Sequence, residues 1–163
     1  MENVEAQVPV NPDLRLHHIG IVVPGIEEFY AFYVDVLRYK QCTPVIHDPV
    51  QTAYVQFFEI PESDHFLELV APDSETSKLQ KASRKRQSLN HLCYSCENIV
   101  RSVELLKESG CLVIQNPIAA VAFDGRPIAW LMTTHGLLLE IVERGLEATL
   151  YPKMCSDNSR AER

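Results

Sequence analysis

Apolar residues recur along this chain with two periods, which predict its strands and helices. Alternating or continuous apolar runs predict strands at 15–23, 40–46, 52–59, 65–71, 89–96, 111–115, 127–132 and 137–143. Apolar positions at three- and four-residue steps predict amphipathic helices at 26–37 and 99–109. The order strand, helix and three strands therefore occurs twice, which indicates a duplicated unit.

The repeat predicts an α+β fold built from two β-α-β-β-β modules, residues 15–72 and 88–144. A polar, lysine- and arginine-rich linker at 73–87 joins them, and we expect it to contain a short helix. Residues 1–14 form an N-terminal arm and residues 145–163 a C-terminal tail, because both are polar and lack periodicity. The two modules together make a single domain of residues 15–144.

A histidine and a glutamate repeat in register with the modules. His18 precedes Glu68 by 50 positions, and His91 precedes Glu140 by 49. The segments Leu16-His17-His18-Ile19 and Leu89-Asn90-His91-Leu92 also match each other. Because four independent coincidences would be needed otherwise, we interpret the four residues as parts of one site.

Strand alternation indicates where these side chains point. His18 shares a strand face with Gly20 and Val22, whereas His17 is expected on the opposite face, against the helix. Glu68 and Glu140 are each flanked by apolar residues, and burying such a carboxylate is costly unless a cation or a proton accompanies it.

Two imidazoles and two carboxylates are suited to a divalent ion such as zinc, nickel, cobalt, manganese or iron. Four protein ligands leave two open positions on an octahedral ion, as catalysis requires. The predicted metal ligands are therefore His18, Glu68, His91 and Glu140. The other histidines, His17, His47, His65 and His135, are interpreted as structural or exposed.

Composition excludes several classes of function. The net charge of −7 and the pI near 5.3 argue against a nucleic-acid-binding surface. No apolar run is long enough to span a membrane, and the N-terminus does not resemble a signal peptide, so a cytoplasmic location is expected. The odd number of cysteines, 5, fits reduced thiols.

Several segments carry a family resemblance. They are 16–23, 66–72, 89–92 and 137–141, which contain the four predicted ligands. On these motifs the chain resembles the vicinal oxygen chelate superfamily, which includes glyoxalase I, methylmalonyl-CoA epimerase, extradiol dioxygenases and bleomycin-resistance proteins. The resemblance implies a glyoxalase-like fold, in which two βαβββ modules form a cupped mixed β-barrel around the ion. It covers about residues 15–144.

Within that superfamily the segments 68–72 and 124–131 are most similar to methylmalonyl-CoA epimerase. This implies a divalent-metal-dependent isomerase or epimerase that abstracts a proton next to a carbonyl, with the ion stabilising the enolate. The implied substrate is a small molecule, an acyl-CoA thioester among the candidates, and the implied assembly is a homodimer. Glu140 and Asp48 are the candidate catalytic residues. Where the epimerases carry an additional acidic base, residues 45–51 contain no glutamate, so Asp48 or His47 is expected to replace it.

Three alternatives stay open within the same superfamily. A glyoxalase I-like lyase would use the same proton-transfer steps. A resistance-type protein would bind a small molecule without turnover, although such proteins lack the four ligands. An iron-dependent dioxygenase typically uses two histidines and one glutamate, so the presence of Glu68 argues against it.

Overall fold

A computed structural model describes residues 13–84 and 88–144, and the same structural unit occurs in it twice. The first unit consists of β1 (Arg15–Val22), α1 (Ile26–Ala31), a π-helical turn (Phe32–Val36), β2 (Lys40–Gln41), β3 (Ile46–Asp48), β4 (Ala53–Glu59) and β5 (Phe66–Pro72). The linker carries a short helix, α2 (Gln80–Ser83). The second unit consists of β6 (Ser88–Cys96), α3 (Ile99–Glu108), β7 (Leu112–Ala119), a 3₁₀ turn (Val121–Phe123), β8 (Pro127–Met132) and β9 (Leu138–Glu143).

The strands form one mixed nine-stranded sheet in the described part of the chain, in the order β2-β4-β5-β1-β6-β9-β8-β7, with β3 also paired to β4. In each unit the first strand lies parallel to the last, β1 beside β5 and β6 beside β9. The units join where β1 and β6 pair antiparallel. The first strands of both modules are therefore neighbours at the centre of the sheet, and helices and a mixed sheet together confirm the predicted α+β fold.

The two faces of the sheet bury different clusters. Val23, Phe58 and Leu69 pack with α1, and Ala129, Leu131 and Ile141 pack with α3. The residues that alternate with them, such as Val22 and Phe57, belong to a third cluster on the opposite face, together with Phe123 of the 3₁₀ turn. Helices therefore cover the outer face of the sheet, and its inner face encloses a core of its own.

Three predicted elements differ from the structure. The helix predicted at 26–37 is α-helical only in α1 and continues as the π-helical turn to Val36. The strand predicted at 40–46 is two short strands, β2 and β3, because Pro44 has no N–H to donate to the neighbouring strand. At the break the hydroxyl of Thr43 accepts the backbone N–H of Phe57 at 3.1 Å instead. The strand predicted at 111–115 continues to Ala119, and the 3₁₀ turn after it was not predicted.

The predicted arm (1–14) and tail (145–163) lie outside the described residues, except for residues 13 and 14. The division of the chain into arm, domain and tail stays a prediction. No helix within 13–84 or 88–144 is long and apolar enough to cross a membrane. The cysteines of the described segments, Cys42, Cys93, Cys96 and Cys111, are free thiols.

Candidate metal centre

The four predicted ligands occupy four adjacent strands in the middle of the sheet. Glu68 lies on β5, His18 on β1, His91 on β6 and Glu140 on β9, which are neighbours in that order. Each side chain is buried, with residue exposures of 0–5%. The duplicated first and last strands of the two modules therefore bring both histidines and both glutamates to one point on the inner face.

The ligand atoms of the four residues lie within 4.8 Å of one another. His18 Nε2 lies 3.2 Å from an oxygen of each glutamate, and His91 Nε2 lies 3.1 Å from Glu68 Oε2 and 3.5 Å from Glu140 Oε2. The two Nε2 atoms are 2.9 Å apart. Ligands at right angles on bonds of about 2.1 Å are separated by roughly 3.0 Å, so these spacings fit one divalent ion.

The hydrogen bond of His91 supports this interpretation. Its Nδ1 donates to Asn90 Oδ1 at 2.9 Å, which leaves a lone pair on Nε2 directed at the centre. Glu140 Oε2 is buried, and the polar atoms beside it are His18 Nε2 at 3.2 Å and His91 Nε2 at 3.5 Å. Lone pairs that converge in a buried space repel each other unless a cation or protons lie between them, so this donor set fits a divalent ion.

The pKa values of the four groups show how strongly the site attracts positive charge. Burial alone lowers the pKa of His91, but hydrogen bonds and charges of Glu140 and Glu68 outweigh burial and raise it to about 9. His18 shifts the same way, since Glu68 and Glu140 raise its pKa against the effect of burial. Burial raises the pKa of each glutamate, but the two histidines reverse this and lower both values. The two carboxylates therefore stabilise positive charge at the imidazoles, whether protons or a metal ion carry it.

Aromatic rings pack against both histidines of the centre. Phe57 contacts His18 edge-on with ring centroids 5.3 Å apart, and Phe123 stacks on the same imidazole at 6.1 Å. Trp130, the only tryptophan of the chain, meets the His91 ring edge-on at 4.9 Å. These rings give the imidazoles largely apolar surroundings, in which charges interact more strongly than they do in water.

A cavity of about 440 Å³ opens beside the centre. Glu68, His91 and Glu140 line its floor, and its walls are largely apolar, with Val70, Leu79, Ala82, Ile114, Phe123 and Ile128 among them. Its volume is in the range of a small-molecule site. A substrate in this cavity would lie against three of the four predicted metal ligands.

Asp48 lies in the wall of the same cavity. It is 4% exposed, and its Oδ1 accepts the backbone N–H groups of Val50 and Gln51 at 3.0 Å each. Asp48 and Glu140, the two predicted catalytic residues, therefore line one space, although their catalytic roles stay predictions. His47, the other candidate for the missing acid, is 48% exposed in its side chain and pairs instead with Asp73 at 3.0 Å.

Gly20 is a functional position that sequence reasoning missed. It faces His91 across the β1–β6 pair, and a Cβ atom placed on it would lie 2.0 Å from His91 Cε1. Any side chain at this position would therefore overlap the His91 imidazole, and glycine leaves that space free. The signal available in the sequence was a glycine two positions after the first histidine, on the same strand face.

The prediction that His17 faces the helix side is wrong. Pairing with β6 shifts register between Leu16 and His18, so His17 is the additional residue of a β-bulge and turns to the inner face. It is 0% exposed, and its Nδ1 lies 2.8 Å from His18 Nδ1. Strand alternation failed here because alternation holds only where pairing is regular.

The other histidines contribute no atom to the centre. His135 is exposed in the turn before β9, as expected from the sequence. His65 precedes β5 and has a buried Nδ1 without a hydrogen-bond partner.

A cationic residue of the linker lies in the cavity wall. Lys78 lines the cavity and donates a hydrogen bond to the carbonyl of Val50 at 3.3 Å.

Curated relatives of this chain include acyl-CoA epimerases. An ethylmalonyl-CoA/methylmalonyl-CoA epimerase of Cereibacter sphaeroides is 28% identical over 131 residues, which are 78% of this chain and 96% of the relative. A mitochondrial methylmalonyl-CoA epimerase of Bos taurus is 27% identical over 131 residues, which cover 78% of this chain and 73% of the relative.

Solved structures share the fold. A hypothetical protein from Bacillus halodurans has a TM-score of 0.73 at 29% identity, with 83% of this chain and 98% of that chain covered. A methylmalonyl-CoA epimerase from Mycobacterium tuberculosis has a TM-score of 0.67 at 22% identity, with 80% and 87% covered. A family model described as the Glyoxalase/Bleomycin resistance protein/Dioxygenase superfamily matches residues 17–130. The chain therefore belongs to the Glyoxalase/Bleomycin resistance protein/Dioxygenase superfamily.

Proposed function

We propose that this protein is a divalent-metal-dependent epimerase that moves a proton on the carbon next to the carbonyl of an acyl-CoA thioester. The observation that carries the proposal is the convergence of two imidazoles and two carboxylates at the floor of a 440 Å³ cavity. The 28% identical relative named as an ethylmalonyl-CoA/methylmalonyl-CoA epimerase supports this choice of substrate.

The four ligands suit this chemistry. A divalent ion, when bound, supplies a Lewis acid that stabilises negative charge developing on a carbonyl oxygen. His18 and His91 contribute neutral nitrogen atoms, and Glu68 and Glu140 contribute two negative charges that offset the charge of the ion. The apolar cavity wall keeps bulk water away from the substrate carbon, so one residue of the protein removes the α-proton and another delivers a proton that it has taken from the solvent.

Epimerisation by two residues needs a base on one side of the reacting carbon and an acid on the other, because one proton is removed from one face and a different proton is delivered to the opposite face. Asp48 and Glu140 are the residues we assign to these two roles. The two backbone N–H groups bound to Asp48 Oδ1 fix the orientation of its carboxylate and leave Oδ2 to hold or release the proton. Glu140 lies at the metal centre and also lines the cavity.

Exchange of the substrate α-proton in D₂O tests the proposal directly. The Co²⁺-loaded protein is expected to incorporate deuterium into methylmalonyl-CoA and to interconvert its epimers. Asp48→Asn keeps the acceptor oxygen for Val50 and Gln51, so it should fold and bind Co²⁺ normally but exchange about 10²- to 10⁴-fold more slowly.

The matched control is Asp73→Asn, which removes a carboxylate that pairs with His47 outside the cavity, and which should exchange at the wild-type rate. No exchange by a Co²⁺-loaded wild-type protein would refute the proposed reaction. Exchange at the wild-type rate by Asp48→Asn would refute the role of Asp48 alone. The homodimer expected from the resemblance stays a prediction, which analytical ultracentrifugation would test.

A further inference from the structure

Both ligand histidines have a polar partner at the preceding position of the chain. Asn90 Oδ1 lies 2.9 Å from His91 Nδ1, and His17 Nδ1 lies 2.8 Å from His18 Nδ1. In a regular strand, adjacent residues point to opposite faces, so neither contact would form. The duplication of the metal centre therefore includes a second layer of residues around the ligands.

A pair of β-bulges makes these contacts possible. In the β1–β6 pair, Leu16 faces Tyr94 and His18 faces Cys93, so His17 is the additional residue on β1. Further along, Gly20 faces His91 and Ile21 faces Leu89, so Asn90 is the additional residue on β6. Each strand thus bulges at the residue before its ligand, and each bulge turns that residue toward the ligand.

We propose that His17 is a positioning residue of the metal centre, whose Nδ1 accepts the hydrogen bond from His18 Nδ1–H and so directs His18 Nε2 to the ion. This inference rests on the metal site of the proposed function. Two ring nitrogens that face each other cannot both donate and cannot both accept. If His18 binds through Nε2, its Nδ1 carries the proton, and His17 must present the lone pair of its own Nδ1.

The surroundings of His17 hold its ring in this orientation. The ring is 0% exposed and packs against Phe66 and Phe123 with centroid distances of 5.6 and 5.7 Å. Because packing already fixes the His17 ring, His17 loses little conformational freedom when it accepts the hydrogen bond from His18. This is expected of a residue that orients a metal ligand. In the second module the carbonyl oxygen of Asn90 makes the equivalent contact.

The second module also indicates which substitution should preserve the function. His17→Asn places a carbonyl oxygen near the position of the imidazole Nδ1, as Asn90 does beside His91. His17→Leu keeps the apolar packing but removes the acceptor. Co²⁺ titration should show an affinity about 10- to 100-fold weaker for His17→Leu and within about threefold of wild type for His17→Asn. His135→Leu, at an exposed histidine, is the matched control and should leave the affinity unchanged.

The tautomer of His18 in the wild-type protein provides a test that needs no variant. Long-range ¹H–¹⁵N NMR of the Zn²⁺-loaded protein should show the proton on Nδ1 of His18 and on Nε2 of His17. A proton on Nε2 of His18 would overturn the inference, and so would equal affinities for wild type and His17→Leu. A His17→Asn affinity as weak as that of His17→Leu would also overturn it. Failure of the wild-type protein to bind Co²⁺ or Zn²⁺ would instead refute the metal site itself, and the inference with it.

Discussion

The contact between Gly20 and His91 leads to a sharp prediction about Gly20→Ala. The added methyl carbon would lie 2.0 Å from His91 Cε1, whereas ordinary contact begins at 3.4 Å, so the imidazole must move by about 1.4 Å (3.4 − 2.0). Metal–ligand distances tolerate deviations of only about 0.2 Å. The imidazole cannot shift this far and still bind, so we expect the affinity for Co²⁺ to fall by about 100-fold or more.

Thermal unfolding with and without metal measures this loss. At a Co²⁺ concentration about 1,000-fold above the wild-type Kd, binding stabilises the protein by about 4 kcal/mol. After a 100-fold loss of affinity the same concentration stabilises it by only about 1.4 kcal/mol. At about 4 °C per kcal/mol, the metal-induced rise in Tm should fall from about 16 °C to about 6 °C.

The metal-induced rise, rather than the Tm itself, is the decisive quantity. Overpacking at Gly20 also costs about 1–3 kcal/mol without metal, which lowers the metal-free Tm of the variant. The control is Gly25→Ala, because a Cβ there meets no atom within 4 Å and the backbone is extended at φ −158°. A full metal-induced rise in Gly20→Ala would refute the reasoning.

Three further predictions follow from the centre. In the metal-free protein the pKa of His91 is raised from 6.5 to about 9, so protonated His91 stabilises the fold fully below about pH 6.5 and this stabilisation is lost as pH rises through 9. The Tm should therefore fall between pH 6.5 and 9, and a constant Tm would contradict the raised pKa. The affinity for Co²⁺ should rise over the same interval, because the ion displaces the proton from His91. Glu140→Gln, loaded at saturating Co²⁺, should lose α-proton exchange with methylmalonyl-CoA by at least about 100-fold, and exchange at the wild-type rate would exclude Glu140 as an acid or base. Because Trp130 lies 4.9 Å from His91, Co²⁺ should quench the tryptophan fluorescence of the wild-type protein, and quenching that persists in His91→Ala would place the ion elsewhere.

Much of the fold and the four candidate ligands could be predicted because both repeat. In each module the histidine lies on the first strand and the glutamate on the last, and these two strands are neighbours in the sheet. The repeated spacing from histidine to glutamate therefore reflects the same pair of strands in both modules. Strand alternation then determines the face on which each side chain lies, provided that the pairing of the strand is regular. Val22, predicted to share a strand face with His18, lies in the inner cluster for the same reason.

What could not be predicted depends on pairing between strands. The bulges at His17 and Asn90 exist only where β1 meets β6, and neither strand alone indicates them. The close approach of His91 to Gly20 likewise belongs to that pair. Pro44 could have indicated the break between β2 and β3, since it removes a donor from the middle of the predicted strand.

The central claim is that His18, Glu68, His91 and Glu140 bind one divalent ion. Anomalous diffraction at the cobalt edge, from crystals of Co²⁺-loaded protein, tests it most directly. We expect a single strong peak at about 2.0–2.2 Å from the Nε2 atoms of His18 and His91 and from one oxygen of each glutamate. A peak beside His17 and Cys93 instead, whose ligand atoms also lie within 4.8 Å of each other and of His18, would contradict the claim, as would no peak on the inner face of the sheet.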